Sequence, residues 1–342
     1  MVSLMDNPKI TVLMPIYNGE KYLQEAIESI LIQTFNRFEF LIIDDGSKDN
    51  SSEIIQSYAD ERIRYIINRK KLGIPESLNK GLQLAQGEYI AHMDCDDISH
   101  PKRLEKQVRF MDAHPNVGVC GTWVKVFGKL DATWKFPKTP NEIMASLFFF
   151  DPLAHSSTIS RLKMLREYNL IYDKAFNYAE DYDLWVRCAR HFELANLDQV
   201  LLYYRVHEDQ IGNQRREEQH NYADQIRMRQ LYELGLSPNS KEVEIHKALT
   251  SMNFKATKEF IEDANAWLLN IKFKNDKAQI YSNKEFSTVI ANNWFEVCNA
   301  ASSLGLWTLK FFFKSQLSNY VVFSKRRKIE FAIKCGLRYG TQ

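Results

Sequence analysis

The amino-terminal part of the chain alternates short apolar runs with segments of helical spacing, and this alternation constrains the fold more than any other feature. The apolar runs predict buried strands, and the segments between them carry apolar residues three or four positions apart, which predicts helices. The predicted strands are residues 9–15, 38–43, 63–68 and 89–93, and the predicted helices are residues 20–33, 49–58 and 74–85. Strands and helices that alternate in this way predict a doubly wound α/β sheet.

Two of the predicted strands end in acidic residues. Asp44 and Asp45 follow the second strand, and Asp94, Asp96 and Asp97 follow the fourth. Because the carboxyl ends of parallel strands meet at one edge of a sheet, both clusters are expected there. Neighbouring carboxylates repel unless a cation lies among them, and oxygen ligands favour Mg²⁺ or Mn²⁺. The second cluster therefore predicts a divalent metal site, although its residues are equally typical of a polar turn that caps the next helix.

Length and composition set broad limits on the class of protein. A chain of 342 residues predicts one large domain or two. The net charge of +2 and the pI near 8.1 favour neither a nucleic-acid partner nor a strongly acidic one. The cysteines are scattered and no signal-peptide pattern opens the chain, which predicts a reducing, cytoplasmic compartment. The glycine-rich loops of dinucleotide-dependent dehydrogenases and P-loop NTPases do not follow the first strand, which argues against both classes.

A further acidic pair, Glu180 and Asp181, precedes a helix that is predicted at residues 183–190. At the amino end of a helix the dipole is expected to lower the proton affinity of both carboxylates. A helix cap is one interpretation of this pair. The other is a general base, because two consecutive acids lie among aromatic residues in a chain that already carries a predicted metal and diphosphate site.

The pattern changes beyond residue 215. Before it, further strands are predicted at residues 117–127, 155–160 and 197–205. After it, helices are predicted at residues 219–234, 241–249, 256–272, 284–304 and 306–337. We therefore expect an α/β domain over residues 1–215 and an all-helical region over residues 216–342, which would serve at a membrane surface or in homo-oligomerisation.

Aromatic and basic residues are interleaved over about residues 306–330 of the last predicted helix. The aromatic and aliphatic residues are Leu306-Trp307, Phe311-Phe312-Phe313 and Tyr320-Val321-Val322-Phe323. This mixture is typical of a helix at an anionic membrane surface, which predicts a peripheral position at the inner face of the cell membrane. A packed helix with its aromatic residues in the core and its cations in water is an equal alternative. No apolar run is long enough to span a bilayer.

Four motifs in order carry a resemblance to a known family. They are Pro15-Ile16-Tyr17-Asn18-Gly19, Ile43-Asp44-Asp45-Gly46-Ser47, the segment from Gly87 to Leu104 with its Asp94-Cys95-Asp96-Asp97, and Ala179-Glu180-Asp181-Tyr182-Asp183-Leu184-Trp185. Over about residues 9–210 their order and spacing resemble the family 2 glycosyltransferases of the GT-A fold. The resemblance implies a Rossmann-like, mostly parallel sheet with flanking helices. It does not cover the helical remainder of the chain.

The resemblance implies how the donor nucleotide would be bound. Pro15 and Tyr17 would line the pocket for the base, and Asp45 would hydrogen-bond the base, usually uracil. Asp94 would face the ribose or the sugar, with Cys95 beside it on the donor side.

The resemblance also implies a metal contact. Asp96 would contact the Mn²⁺ or Mg²⁺ that bridges the diphosphate, where the metal offsets charge on the leaving group. His207 lies in a segment where some relatives place a histidine at the metal or the diphosphate, and a surface histidine is the alternative. Lys71 could reach a phosphate, and a solvated lysine is the alternative.

Asp181 matches the general base of the family, and Glu180 and Trp185 would lie on the acceptor side. The resemblance therefore implies an inverting glycosyltransferase that uses a nucleoside-diphosphate sugar, above all a UDP-sugar. Its acceptor would be a hydroxyl group of a glycan or a lipid-linked saccharide in the assembly of bacterial surface polysaccharide.

Two other functions remain open. One is a non-catalytic module that binds a nucleotide or a glycan, although the joint presence of Asp45, Asp96 and Asp181 favours catalysis. The other is a nucleotidyltransferase, which would need a basic glycine-rich loop after the first strand. The chain also departs from the family, because many relatives have Ala-Arg-Asn in the third helix where this chain has Ser77-Leu78-Asn79. An arginine contact to the nucleotide would then have to come from elsewhere, for example from residues 69–71.

Overall fold

The computed structural model describes residues 8–208, 210–322 and 324–337, and the chain divides into two compact units. The first unit comprises Met1–Ile143 and Asp151–Ala223, and the second comprises Met144–Phe150 and Asp224–Gln342. The division after Ala223 lies eight residues beyond the boundary that the sequence predicts (223 − 215), and a short internal segment joins the helical unit.

The first unit is built on a nine-stranded mixed sheet. Its parallel half consists of β1 (Ile10–Ile16), β2 (Phe38–Asp44), β3 (Ile63–Ile67) and β4 (Tyr89–His92), in the order β3-β2-β1-β4. Every residue of β2 is buried, including Glu39 and Asp44, and this burial on both faces explains why the rest of its sequence is apolar rather than alternating. The predicted α/β architecture is confirmed.

Three helices connect these strands. They are α1 (Glu20–Leu31), α2 (Ser51–Gln56) and α3 (Ile74–Leu84). In α1, Leu23, Ala26, Ile27 and Ile30 are fully buried, and their spacing of three or four residues places them on one face of the helix. Burial of this apolar face is what holds the helix against the strands.

The other half of the sheet is antiparallel in part. It contains β5 (Ile98–Ser99), β6 (Val117–Gly128), β7 (Ala132–Trp134), β8 (Ile159–Arg161) and β9 (Glu193–Val206). Strand β8 runs antiparallel to both β4 and β6, and β9 runs parallel to β6. The strand predicted at residues 155–160 is wrong in its first half, because His155–Ser157 forms a 3₁₀ turn before β8 begins.

The remaining helices of this unit flank the sheet or extend its loops. They are α4 (Arg103–Ala113), α5 (Pro140–Ser146), which ends in the second unit, α6 (Leu162–Glu167), α7 (Glu180–Cys188) and α8 (Ile211–Gln214). Helix α4 begins at Arg103, so Pro101 lies in the turn before it.

The register of the parallel strands brings the two predicted acidic clusters to one edge. Ile16 pairs with Asp44, and Leu13 pairs with His92. The main chain of Asp45 then donates to the Ile16 carbonyl oxygen at 2.9 Å, and that of Met93 donates to the Leu13 carbonyl oxygen at 3.0 Å. The residues that follow β1, β2 and β4 therefore share the carboxyl edge of the sheet.

The second unit is helical. Its helices are α9 (Arg216–Glu233), which begins in the first unit, α10 (Ser240–Ser251), α11 (Lys258–Ala278), α12 (Asn283–Ala300), α13 (Leu306–Lys314) and α14 (Lys325–Leu337). Large aromatic side chains fill its core, among them Phe286, Trp294, Phe312 and Phe331. Of the helices that the structure describes, none combines the length and the apolar character that crossing a membrane requires.

The single helix predicted over residues 306–337 is wrong. Helix α13 ends at Lys314, the 3₁₀ segment Gln316–Tyr320 follows, and α14 begins at Lys325. Ser315 breaks the helix, because its backbone is extended (φ −70°, ψ 136°) and its side chain accepts a hydrogen bond from the amide of Leu317. Phe323, in the predicted membrane segment, lies outside the described residues.

Candidate active site

Three carboxylates follow β4 and face one another. Asp94, Asp96 and Asp97 each offer one carboxylate oxygen, and these oxygens all lie within 4.8 Å of one another. Asp94 and Asp96 are half-buried, and Asp97 is fully buried. The strand ends here because the chain leaves the sheet into a turn before β5.

The environment of these acids disfavours three negative charges at once. Burial raises the pKa of Asp94, whereas the charges of His155 and Arg103 oppose that shift. Burial, followed by repulsion from Asp94, raises the pKa of Asp96, and the hydrogen bond from His207 opposes it. Burial and the other two acids hold the pKa of Asp97 well above its usual range. A divalent cation with a preference for oxygen ligands fits this donor set, since it would relieve the repulsion.

Asp97 is not a cap of the next helix. Its Oδ2 accepts a hydrogen bond from Ser156 Oγ at 2.5 Å, and its Oδ1 accepts one from the Arg205 main chain at 2.9 Å. Both oxygens therefore link the acidic turn to neighbouring segments. Asp97 stabilises the tertiary structure, whereas the sequence predicts a turn or cap residue. Asp94 and Asp96 are more exposed than Asp97 and are therefore more accessible to a ligand.

His207 joins the acidic turn from the end of β9. Its Nε2 lies 3.0 Å from Asp96 Oδ2, and its ring centroid lies 4.8 Å from that of Tyr22. Arg205, two residues earlier, donates from Nε to the Asp96 carbonyl oxygen at 2.8 Å and from Nη2 to Glu25 Oε2 at 2.9 Å. These contacts bring together His207 and Asp96, the two residues for which the resemblance implies a place at the metal.

A buried arginine lies beneath the acidic turn. Arg103 is inaccessible to solvent, and its guanidinium donates to the carbonyl oxygens of His92 at 2.5 Å and Ser156 at 2.8 Å. Burial lowers its pKa to about 10, while the carboxylates of Asp97 and Asp94 act in the opposite direction. The cation therefore holds the two segments that carry the site and contributes positive charge below the acids.

Asp45 is held by the loop that carries Lys71. Its carboxylate accepts hydrogen bonds from the amides of Leu72 at 2.7 Å and Gly73 at 2.9 Å, and from Asn68 Nδ2 at 2.9 Å. Gly73 has φ of 92°, a conformation that favours glycine. Asp45 therefore fixes residues 69–73, a structural role that the sequence analysis missed.

The predicted base pocket is open where Tyr17 lies. The side chain of Tyr17 is 41% exposed, and Lys71 Nζ sits 3.5 Å from its ring centroid. Pro15 precedes it in β1. Cys95 packs against Gly19, where an added Cβ would lie 3.1 Å from its sulfur. Tyr17 and Lys71 are thus brought together in a cation–π contact, in which the ammonium group of Lys71 lies against the ring of Tyr17.

Glu180 and Asp181 form the first turn of α7, which starts earlier than predicted. Burial and the charge of Asp181 raise the pKa of Glu180 to about 8. Burial and the charge of Asp94 raise the pKa of Asp181 to about 6, although the Tyr182 amide donates to its carboxylate at 2.7 Å. The predicted lowering of proton affinity by the helix dipole is therefore wrong, because loss of hydration outweighs the dipole. Because the charge of Asp94 contributes to the raised pKa of Asp181, the two carboxylates are close enough to interact electrostatically.

The residues predicted on the acceptor side are enclosed. Glu180 is 6% exposed, and its Oε2 has no hydrogen-bond partner among the described residues. Trp185 is 1% exposed and packs edge-on against His155, with ring centroids 5.9 Å apart. The structure thus places Trp185 in the core of the unit rather than on an open surface.

The comparison with known proteins decides the family. The sequence model of glycosyl transferase family 2 matches residues 11–180. An uncharacterized glycosyltransferase of Haemophilus influenzae is 33% identical over 237 residues, which are 65% of this chain and 73% of that protein. An uncharacterized glycosyltransferase of Methanocaldococcus jannaschii is 36% identical over 241 residues, 68% of this chain and 79% of the relative. This chain belongs to glycosyl transferase family 2.

A solved structure of a glycosyltransferase of the GT-A type shares the fold of this family 2 chain. The structure of S. aureus TarS residues 1–349 in complex with UDP-GlcNAc aligns with a TM-score of 0.57 and 19% identity. The alignment covers 91% of this chain and 89% of TarS. The predicted GT-A fold, followed by a helical region, is therefore confirmed.

Several residues around the site of this family 2 enzyme were missed by sequence reasoning. Asp151 follows α5, and burial together with the charge of Asp181 raises its pKa well above the usual range. The hydroxyl group of Tyr172 lies 2.9 Å from His155 Nε2, and both side chains are close to Asp94 and to α7. Each occurs as an isolated residue in a loop or turn, so no local pattern signals it. The pairing of β8 with β4 brings His155 against His92 beside the acidic turn, although the two histidines are far apart in sequence.

Proposed function

We propose that this glycosyltransferase moves a sugar from a nucleoside-diphosphate sugar to an acceptor hydroxyl with inversion at the anomeric carbon, in a metal-dependent reaction. The observation that supports the proposal is that Asp94 and Asp96, whose carboxylate oxygens suit a divalent cation, interact electrostatically with Asp181, whose pKa burial and the charge of Asp94 raise to about 6. A carboxylate with a pKa of about 6 is ionised at neutral pH and still basic enough to accept a proton.

Asp96 and His207, with Asp94 nearby, would hold Mn²⁺ or Mg²⁺. A bound divalent cation would act as a Lewis acid that offsets the charge growing on the nucleoside diphosphate. Asp97 and Arg205 keep the acidic turn in place through the hydrogen bond between them at 2.9 Å. Arg103 supports the turn from below through the His92 carbonyl oxygen.

The donor base would stack on Tyr17 beside Pro15, next to the loop that Asp45 fixes. Lys71 lies over the Tyr17 ring and would move to a phosphate or flank the base. A UDP-sugar is the favoured donor, and the UDP-GlcNAc complex of TarS supports that choice by fold similarity alone. Cys95 would line the turn between the two donor-side acids as an un-ionised thiol, since burial holds its pKa well above the usual range.

Asp181 would take the proton of the acceptor hydroxyl as it attacks the anomeric carbon. A single displacement from the face opposite the leaving group inverts the configuration there. Glu180, whose pKa is near 8, would remain largely protonated at neutral pH and add no second negative charge beside the base. The acceptor we propose is a glycan or a lipid-linked saccharide in the assembly of bacterial surface polysaccharide.

A peripheral membrane contact through about residues 306–330 would suit a lipid-linked acceptor. Leu306, Phe313 and Val322 are 57%, 58% and 79% exposed, whereas Phe312 belongs to the core of the second unit. Lys310 and Lys314 flank the exposed residues in α13. Replacement of Leu306, Phe313 and Val322 by serine should abolish co-sedimentation of the full-length protein with anionic liposomes. Equal binding by this variant and the parent protein would overturn the membrane contact.

The proposed transfer is tested most directly with a donor panel. The protein is incubated with Mn²⁺ and with UDP-, GDP- and dTDP-sugars, and both hydrolysis and protection against thermal unfolding are recorded. We expect one nucleotide class, UDP-sugars, to be hydrolysed and to stabilise the protein, and EDTA to remove both effects. The same panel with Asp96→Ala serves as the matched control. Absence of binding and hydrolysis with every donor would overturn the proposal.

A binding module without turnover is the second candidate. It would bind a nucleotide sugar in the same assay but would neither hydrolyse nor transfer the sugar. The enclosed pair Glu180 and Asp181 favours catalysis, because burying two carboxylates side by side costs stability that a pure binding site has no need to bear.

A further inference from the structure

Two buried histidines and a tyrosine contact one another in a row that ends at Asp94. His92, the last residue of β4, has its Nε2 atom 2.9 Å from Asp94 Oδ1. Its ring stacks on that of His155, with centroids 3.6 Å apart and an interplanar angle of 12°. Nε2 of His155 lies 2.9 Å from the hydroxyl oxygen of Tyr172. We name His92, His155 and Tyr172 the histidine ladder.

The hydrogen bond between His92 and Asp94 has one direction when Asp94 is ionised. An ionised carboxylate only accepts, so Nε2 of His92 carries the proton and donates it. His92 is 5% exposed, and its Nδ1 has no hydrogen-bond partner among the described residues. A proton on Nδ1 would therefore be a buried, unpaired donor, which is costly. A flipped ring would turn a carbon toward Asp94, so one tautomer and one ring orientation satisfy the site.

The far end of the ladder is anchored to two helices of the same unit. The main chain of Tyr172 exchanges two hydrogen bonds with the side chain of Asn79 in α3, at 2.8 Å and 2.9 Å. The ring of His155 meets the edge of Trp185 in α7. The ladder thus connects the carboxylate after β4 with the helix next to the donor loop and with the helix that carries Asp181.

We propose that His92 is a positioning residue that holds Asp94 in the orientation that contacts the sugar of the donor, and that His155 locks the His92 ring by stacking. The inference rests on the proposed function and deepens it. Asp94 has two rotatable side-chain bonds and stands at the rim of the site, so a fixed donor on one oxygen removes alternative orientations. Loss of a hydrogen bond to a charged group is expected to change an equilibrium or rate ratio by about 10-fold to 100-fold.

A plain packing role for the ladder makes different predictions. If the two rings only fill space, a phenylalanine at position 92 keeps the stack and preserves function. If His92 acts through Asp94, phenylalanine fails because it has no donor, whereas glutamine restores function in part because its amide can donate. A double-mutant cycle with Asp94→Ala separates the two roles, since a residue that acts through Asp94 has no effect once the accepting oxygen is gone.

The experiment uses the full-length protein with Mn²⁺ and the donor that the panel identifies. His92→Phe, His92→Gln, Asp94→Ala and the double variant His92→Phe/Asp94→Ala are compared by donor turnover and by calorimetric binding of the nucleotide sugar. His191→Phe is the matched control, because His191 is an exposed histidine that stacks on Tyr168 with centroids 4.4 Å apart. Thermal unfolding confirms that each variant folds.

We expect His92→Phe to lower kcat/KM about 10-fold or more, His92→Gln to recover most of that loss, and His191→Phe to match the parent protein. In the Asp94→Ala background, His92→Phe should cause no further loss of nucleotide-sugar binding. Additive losses, or a fully active His92→Phe, would overturn the role of His92 while leaving the proposed function intact. A parent protein that binds no nucleotide sugar would overturn both.

A second variant covers the case in which His92→Phe does not fold. His155→Phe keeps an aromatic ring against His92 and removes the contact to Tyr172. We expect it to lower kcat/KM in the parent background and to have no effect on binding in the Asp94→Ala background. An equal loss in both backgrounds would show that the ladder only supports the fold.

Discussion

Nε2 of His207 lies 3.0 Å from Oδ2 of Asp96, although 111 residues separate the two along the chain. If both contact the metal, His207→Ala should raise the Mn²⁺ concentration for half-maximal activity by about 10-fold to 100-fold. Asp96→Ala should abolish transfer and weaken metal-dependent nucleotide binding. Metal titrations of donor turnover measure both effects.

The control for this metal titration is Asp198→Asn, because Asp198 is an exposed carboxylate that pairs with Lys138 at 3.1 Å. It should leave the metal dependence unchanged. A His207→Ala variant with an unaltered Mn²⁺ requirement would mean that His207 only orients Asp96.

Asp181→Asn should lower the rate of transfer by about 10²–10⁴-fold, because the amide cannot accept the acceptor proton. It should largely spare nucleotide binding, since the carboxylate lies in α7 rather than in the donor loop. In the parent protein, kcat/KM should fall below about pH 6 as Asp181, with its pKa of about 6, becomes protonated. Transfer assays between pH 5 and pH 8 check both statements. Retained transfer by Asp181→Asn would remove the base assignment.

The same substitution should stabilise the protein at alkaline pH. The folded-state pKa of Asp181, about 6, exceeds the unfolded value of about 3.9, so the folded state binds more protons between these values. Stability therefore falls as pH rises through that window, and the cost of ionising the buried group is fully present above about pH 6. Asp181→Asn lacks this cost and should gain about 1–3 kcal/mol at pH 8, but little at pH 4. Denaturant unfolding at both pH values measures the difference.

The motifs predicted the fold and the positions of the main acids because each motif is local. A buried strand that ends in Asp44 or in Asp94 needs only the pattern of apolar residues, and parallel pairing then brings the two ends to one edge. The position of His207 at the metal or the diphosphate was predicted only through a family resemblance, since nothing local distinguishes His207 from a surface histidine, and its hydrogen bond with Asp96 was not predicted.

Tertiary burial was not predictable from such patterns. The helix dipole at Asp181 is a local feature, but the opposing effect of burial depends on segments far away in sequence. The role of Asp97 likewise depends on Ser156 and on the main chain of Arg205, which the sequence places 59 and 108 residues away. The last predicted helix breaks at Ser315, where the side chain accepts a hydrogen bond from the amide of Leu317. The helical spacing of apolar residues does not predict this hydrogen bond.

Asp45→Asn should loosen the loop at residues 69–73. The carboxylate accepts from the amides of Leu72 and Gly73, and an asparagine would turn its own N–H group toward one of these donors. Loss of a hydrogen bond to a charged group costs about 1.5–3 kcal/mol, so trypsin should cleave the exposed sites at Arg69, Lys70 and Lys71 at least about 10-fold faster.

Nucleotide binding should weaken in parallel with this cleavage of Asp45→Asn. Mass spectrometry of the tryptic fragments locates the cuts, and Asp198→Asn provides the control. Unchanged cleavage with weakened binding would assign Asp45 a direct contact with the base rather than a role in holding the loop.

Gly87→Ala should destabilise the first unit, because the backbone of β1 leaves no space for a side chain there. An added Cβ would lie 2.4 Å from the Thr11 amide nitrogen and 2.6 Å from the Ile10 carbonyl carbon, and neither atom can move without disturbing the sheet. Overpacking of this kind costs about 1–3 kcal/mol. Gly336→Ala is the control, since nothing lies within 4 Å of its Cβ position and alanine favours the helix by up to about 1 kcal/mol. Chemical denaturation should show opposite shifts for the two variants, and an unchanged midpoint for Gly87→Ala would contradict the close approach of the strands.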